Sequence, residues 1–215
     1  RATTEGSQWT PLLTSSQHGF LEIVELLISA GADKNKTSKE GISPLVAAIQ
    51  SGENGVVAAL LKAGVDLELQ TGISGWSPLV VSIQKGNAEA VALLVSAGAN
   101  KSKADPATML TPIFVAIQLG KLEVVDLLIR AGVNPNETTS AGWTPLICSI
   151  QSGNFDITDL LIKKGADKNM PAKGFGTPLA VAIQGNHQEI VELLIKNGAD
   201  REKASEDGRT PLFIA

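Results

Sequence analysis

The stretch Trp143-Thr144-Pro145-Leu146-Ile147-Cys148-Ser149-Ile150-Gln151-Ser152-Gly153 decides the reading of this chain, because versions of it return from end to end. They are Trp9-Thr10-Pro11-Leu12, Ile42-Ser43-Pro44-Leu45, Trp76-Ser77-Pro78-Leu79, Leu110-Thr111-Pro112-Ile113, Gly176-Thr177-Pro178-Leu179 and Arg209-Thr210-Pro211-Leu212. Successive prolines stand 33, 34, 34, 33, 33 and 33 residues apart. A period of about 33 with this start predicts a stack of helical repeats, each made of a turn and two helices. The stability of such a chain is a sum of repeats and neighbour interfaces, so one array is expected rather than separate globular domains.

Within a repeat, Thr or Ser is the natural N-cap, and Pro at the next position already has the φ of a helix start. The first helix therefore begins at each proline. It ends eight residues later at Gly19, Gly52, Gly86, Gly120 and Gly153, with Asn186 in the last complete repeat. Asn is the non-glycine residue that best tolerates the left-handed conformation such a helix end needs. A second helix follows, with apolar residues at helical spacing such as Ile23, Val24, Leu26, Leu27 and Ile28. It stops at Gly31, Gly64, Gly98, Gly132, Gly165 and Gly198, each followed by Ala or Val and then Asp or Asn, which suits a turn into a projecting hairpin. Helices of about eight to ten residues are marginal alone in water, so stacking must hold them.

On these residues the chain resembles the ankyrin repeat family. The resemblance implies an all-α, right-handed solenoid with projecting β-hairpin fingers. It forms one array over residues 1–215, with repeats at 7–39, 40–73, 74–107, 108–140, 141–173 and 174–206, a partial repeat at 207–215 and an upstream hairpin remnant at 1–6. It also implies a non-catalytic protein-interaction module, a scaffold or adaptor holding a partner segment along its concave groove. The other reading is a targeting part of a larger enzyme or secreted effector with its active domain elsewhere.

The chain departs from the family pattern in places. Where Thr-Pro-Leu is usually followed by His, this chain has Leu13, Val46, Val80, Phe114, Ile147, Ala180 and Phe213. The family's second Ala becomes Ile49, Ile83, Ile117, Ile150 and Ile183, which predicts slightly expanded helix spacing. Pro106 and Met109 replace the glycine turn before Thr111, so an altered finger is expected there. Thr14, Ser15 and Ser16 stand where a later repeat has Val115, Ala116 and Ile117, which reads as a polar N-terminal cap. The last repeat stops at Ala215 after one partial helix, so the natural protein is expected to continue.

Composition narrows the function. A formal charge of -4 and a pI near 5.3 give no basis for nucleic-acid binding. Aromatics are 4% of residues with no Tyr, so the core must be built from Leu, Ile, Val and Ala. The single Cys148 excludes an internal disulfide or a cysteine-rich zinc site and fits a reducing, intracellular, cytoplasmic home. No apolar run approaches the roughly 18 residues of a membrane span. The expected partner is a protein or peptide, with no nucleic acid, membrane insertion, cofactor or metal, and the array is expected to be a monomer.

Chemistry-bearing candidates are few. Cys148 and His187 lie on different layers; Cys148 reads as a buried small residue, His187 as structural and His18 as exposed. Gln17, Gln50, Gln84, Gln118, Gln151 and Gln184 share one slot, which in the family faces the groove. They form either a bonded ladder or a row of free amides for a bound chain. Ten basic residues (Lys34, Lys36, Lys39, Lys101, Lys103, Lys168, Lys173, Arg201, Lys203 and Arg209) fall in the fingers, while the second helices are acidic. The residue before each Thr/Ser-Pro is Trp9, Ile42, Trp76, Leu110 or Trp143 in the first five repeats, and all three Trp residues of the chain share this slot. It is either packing against the adjacent finger or a line of interface anchors, with Gln50, Gln84, Gln118 and Gln151 beside it.

Overall fold

The computed structural model describes residues 8–72, 75–105, 108–204, 208 and 210–211. The hairpin expected at residues 1–6, Pro106, Arg209 and the chain after Pro211 lie outside them. Among the described residues there are first helices α1 (Pro11–Gln17), α3 (Pro44–Ser51), α5 (Pro78–Lys85), α7 (Pro112–Gln118), α9 (Pro145–Gln151) and α11 (Pro178–Gln184). The second helices are α2 (Leu21–Ser29), α4 (Asn54–Lys62), α6 (Ala88–Ser96), α8 (Leu122–Arg130), α10 (Phe155–Lys163) and α12 (Gln188–Lys196). Every first helix starts at its proline. The only β pairing among the described residues is two isolated antiparallel bridges, Thr71 with Trp76 and Ala172 with Gly176. The fold is an all-α array of helix-turn-helix repeats.

The caps form as the spacing predicts. Thr10, Ser43, Ser77, Thr144 and Thr177 accept hydrogen bonds from the backbone N–H of Leu13, Val46, Val80, Ile147 and Ala180 at 3.1, 3.3, 3.4, 3.2 and 3.3 Å. Each such cap contributes about 1 kcal/mol. The donors belong to the residues standing where the family has His, and all five of these side chains are buried. The hydroxyl therefore caps the helix with no imidazole beside it, over an apolar floor. The first helix breaks in the left-handed region, and Asn186 at φ 54 does this in the last complete repeat.

The chain divides into two compact units, Arg1–Pro112 and Ile113–Ala215. In the N-terminal unit α1 packs on α2 and α3, α3 on α4 and α5, α5 on α6, and α4 on both α2 and α6. Leu45, Ile49, Leu60, Leu79, Ile83 and Leu94 fill the layers between them, each no more than 1% exposed. In the C-terminal unit α9 packs on α10 and α11, α11 on α12, and α10 on α8 and α12. There Ile117, Leu128, Leu146, Ile150 and Leu161 are equally buried. The isoleucines in the family's alanine slot are thus accommodated, although Ile183 of the last pair is only half-buried.

Fingers are held by two kinds of hydrogen bond. Each closes on itself: the N–H groups of Ser38, Thr71, Asp105, Thr139 and Ala172 donate to the carbonyls of Ile42, Trp76, Leu110, Trp143 and Gly176. Successive fingers also interlock. Asn35 Oδ1 accepts from Asp66 N–H at 2.9 Å and Glu68 Oε1 from Asn100 N–H at 2.9 Å in the first unit. In the second, Asn136 accepts from Asp167 at 2.7 Å and Asn169 from Asp200 at 2.8 Å.

One expectation is met and another is corrected in part. The finger before Thr111 keeps the common closing bond, Asp105 N–H to Leu110 carbonyl at 2.8 Å. Met109 adopts φ 57 in the slot held by Gly41, Gly75 and Gly142 and is 60% exposed, and the finger is altered as expected: the Met109 N–H donates to the Asp105 carbonyl at 2.7 Å, and the N–H and hydroxyl of Thr108 both donate to Asp105 Oδ1. Repeat one is capped by a polar face on α1 only in part: Thr14 is exposed in the slot where Val115 is buried, whereas Ser15 and Ser16 are 3% and 0% exposed. Ser15 bonds back to the Leu12 carbonyl, which lets a hydroxyl sit inside the layer. It is α2 that faces out, with Ile23 and Leu26 at 48% and 67% exposed.

Gly41 has φ 76, and an added Cβ would lie 2.9 Å from the backbone nitrogen of Gly72 in the next finger; Gly31 has φ 83 and open space around it. Gly31→Ala is expected to cost about 1 kcal/mol, the left-handed penalty alone. Gly41→Ala should cost distinctly more, because a backbone contact cannot rotate away. Equal denaturation midpoints for the two variants would show that the finger yields freely.

Candidate functional site

At Ile42, Trp76 and Trp143 the slot before Thr/Ser-Pro is locked from both sides. Its carbonyl closes the finger, and the hydroxyl of the next residue caps the helix. The side chain is left at the finger base, and Trp9, Ile42, Trp76, Leu110 and Trp143 are all half-buried.

In the N-terminal unit, Ile42 and Trp76 come together with Gln50 and Gln84 around one cleft of about 460 Å³. Thr71, Gly72 and Val81 complete its wall, and Glu40 and Lys85 place one charge of each sign on it. Trp9 and Leu110 do not line it. In the C-terminal unit Trp143 meets the next finger: its ring stands edge-on to Phe175, centroids 4.6 Å apart and planes at 68°. That contact is a packing role for Trp143. Gln118 and Gln151 of this unit are exposed.

The bonded amide ladder is not formed. Gln17, Gln50, Gln84, Gln118, Gln151 and Gln184 make no side-chain hydrogen bond, and all but the half-buried Gln84 are exposed. An amide with both donors and acceptors unspent is suited to the backbone of a bound chain. Part of the basic finger layer, in contrast, is structural. Lys34 Nζ donates to the Ala63 carbonyl, and Lys103 Nζ lies 3.1 Å from the Glu68 carboxylate.

Sequence reasoning missed Glu40, Thr71, Val81 and Lys85 as cleft residues, and Phe175 as the partner of Trp143. The period aligns slots, but it does not say which neighbouring slots share a wall.

The remaining candidates are accounted for by packing. His187 is the residue preceding α12, and its ring lies against Gly153 and Gly185. His18 is exposed, with Nδ1 2.8 Å from the Thr14 carbonyl. Ser149 is buried, donates to the Leu146 carbonyl at 2.8 Å and lies 3.0 Å from Thr158 Oγ1. Burial pushes the Cys148 thiol up to about 12. Among the described residues no cluster of His, Cys, Asp and Glu could hold a metal ion, and no helix is long and apolar enough to cross a membrane.

A family model for ankyrin repeats matches three times, over residues 12–105, 103–172 and 171–215. The human ASB11 ankyrin repeat domain is 26% identical and superposes with a TM-score of 0.76, covering 96% of this chain and 92% of that one. The ankyrin repeat domain of Bcl-3, a member of the IkappaB protein family, superposes with a TM-score of 0.87 over 97% of this chain and 94% of its own. At 23% identity that likeness is one of fold. The human transient receptor potential cation channel subfamily A member 1 is 38% identical over 68 residues, 32% of this chain and 6% of the channel. This chain therefore matches only a small fraction of that relative's length.

Cys148 supplies a pH test. Its thiol pKa is raised from an ordinary 9.0 to about 12 by burial. Between those values the unfolded chain loses the proton while the folded chain keeps it, so stability should fall as pH rises above about 9. At neutral pH iodoacetamide is expected to alkylate Cys148 only after denaturation. Rapid labelling of the native protein would show that the site opens.

Proposed function

We propose, from the premise that this chain belongs to the ankyrin-repeat family, that it is a protein-binding module acting in the cytoplasm, as a monomer, on an extended peptide segment of a partner. Ankyrin repeats are protein-interaction modules, and the cleft under Ile42 and Trp76 is the observation that carries the reading further. At about 460 Å³ it has room for a bulky side chain. The half-buried Ile42 and Trp76 offer it apolar contact at small further entropic cost, since both are already held by the finger. The unbonded amides of Gln50 and Gln84 stand beside them, ready to pair with peptide N–H and C=O groups that would otherwise lose their water partners. Trp143 and Gln151 occupy the corresponding slots in the C-terminal unit, with Trp143 partly committed to Phe175.

The test begins with peptides selected from a random display library on the folded protein. For a selected peptide, Trp76→Ala should weaken binding about 30-fold or more, the scale of an interface hot spot. Gln50→Ala and Gln84→Ala should each weaken it several-fold, near 1 kcal/mol per lost hydrogen bond at about room temperature. Trp143→Ala should lower the thermal midpoint more than Trp76→Ala, because it alone removes an aromatic pair. Undiminished binding by Trp76→Ala in protein that remains folded would refute the cleft as the site.

A further inference from the structure

A second cleft, of about 400 Å³, lies in the C-terminal unit and is lined only by second-helix residues: Leu122, Glu123 and Asp126 of α8 with Asp156, Asp159, Leu160 and Lys163 of α10. Its residues sort into three roles. Asp126 is committed within the fold: Lys164 Nζ at 2.7 Å and Arg130 Nε at 2.9 Å flank its carboxylate, and Lys164 and Arg130 hold its pKa below the usual carboxylate value. Asp159 is paired with Lys163 at 2.6 Å. Glu123 and Asp156 are exposed and have neither ion pair nor hydrogen bond. Leu122 and Phe155, the first residues of the two helices, are also exposed, at 40% and 38%.

The helix dipole favours an acid in the first turn, and that accounts for Glu22 and Glu89 as well as Glu123 and Asp156. It does not account for the rest of the arrangement. In repeats two and three the positions matching Asp126 and Asp159 are Ala58 and Ala92, and those matching Leu122 and Phe155 are Asn54 and Ala88. α2 repeats the pattern in part, with Leu21, Glu22 and Glu25 in the matching positions; in α8 and α10 the free first-turn carboxylates and two leucines line one cleft.

We propose that this cleft is a docking site for a short basic-apolar peptide segment, in which arginines or lysines meet Glu123 and Asp156 while a leucine-like side chain packs on Leu122 and Leu160. The charge and the apolar floor select the same occupant. An acidic segment would meet two unpaired carboxylates, and a purely polar one would leave the leucines in water. Neighbouring packed helices lie about 8 to 10 Å apart. An extended chain rises about 3.3 Å per residue, so basic residues three apart reach carboxylates on adjacent helices. This site shares no residue with the Ile42–Trp76 cleft and stands or falls separately from it.

The probe is a fluorescent peptide, acetyl-Arg-Ala-Leu-Arg-Ala-Leu-Arg-amide, titrated at low salt by anisotropy. The expected result is saturable binding that Glu123→Gln with Asp156→Gln weakens about fivefold, as two exposed charge pairs predict. Glu22→Gln with Glu89→Gln, the same charge change elsewhere, should leave it within about twofold. Replacing the probe's leucines with alanine should weaken it further. Equal weakening by both variant pairs would reduce the effect to net charge and overturn the site. So would no binding, unchanged binding by the first pair, or loss with Trp76→Ala in its place. The four substituted acids are exposed, so circular dichroism should stay as in the parent, and the thermal midpoint should fall only slightly in both pairs as the helix-dipole contribution is lost.

Discussion

A helix of seven to nine residues, the only kind among the described residues, cannot retain its backbone hydrogen bonds in water, because the nucleation cost exceeds what so few bonds return. Every element of this chain therefore exists through its neighbour. Apolar layers supply most of that support: Leu45 and Ile49 against Leu79 and Ile83 in one unit, Leu146 and Ile150 beside Leu161 in the other. Their side chains are small and stiff, which suits thin layers that repeat at fixed spacing. The interlocked fingers add direction to this burial. Asn35 holds the next finger at Asp66, and Asn136 holds the next at Asp167, so repeat is joined to repeat by polar bonds of fixed length as well as by apolar contact.

The same dependence explains why the binding candidates lie where they do. Ile42, Trp76 and Trp143, each before a Thr/Ser-Pro, are pinned by the finger's closing bond on their own carbonyls and by the helix cap one residue later. A side chain placed so firmly by the backbone can be presented at little entropic cost, whether to a partner or to the next finger. Trp76 and Trp143 have different surroundings although they share one slot. Trp76 borders an open cleft with two unbonded amides, whereas Trp143 meets Phe175, present only in the finger that follows it. Burial acts on Cys148 in the same way: it raises the thiol pKa and keeps the side chain neutral among its apolar neighbours.

The local rules written in the chain were legible without the structure. Proline spacing set the helix starts, the glycines and Asn186 set the breaks, and Thr or Ser set the caps, because each is a short-range conformational preference of the residue itself. The family and the all-α fold followed from the period. Where the reading failed, the competing influence was tertiary. Ser15 and Ser16 looked like an exposed cap because hydroxyls usually face water, yet bonding back to the helix let Ser15 lie inside.

Which slots face one another is decided by stacking alone. Nothing in a single repeat says that Gln50 and Gln84 remain unbonded beside Trp76, or that Glu123 and Asp156 are free while Asp126 is claimed by Lys164 from the next repeat. Those outcomes depend on distances across a layer between residues about 33 positions apart in sequence, the length of one repeat. Sequence by itself determined the fold, the helix boundaries and the slots from which a site could be made. Tertiary structure decided which of those slots were spent on packing and ion pairs and which were left open, because that depends on the partner each side chain meets across the stack.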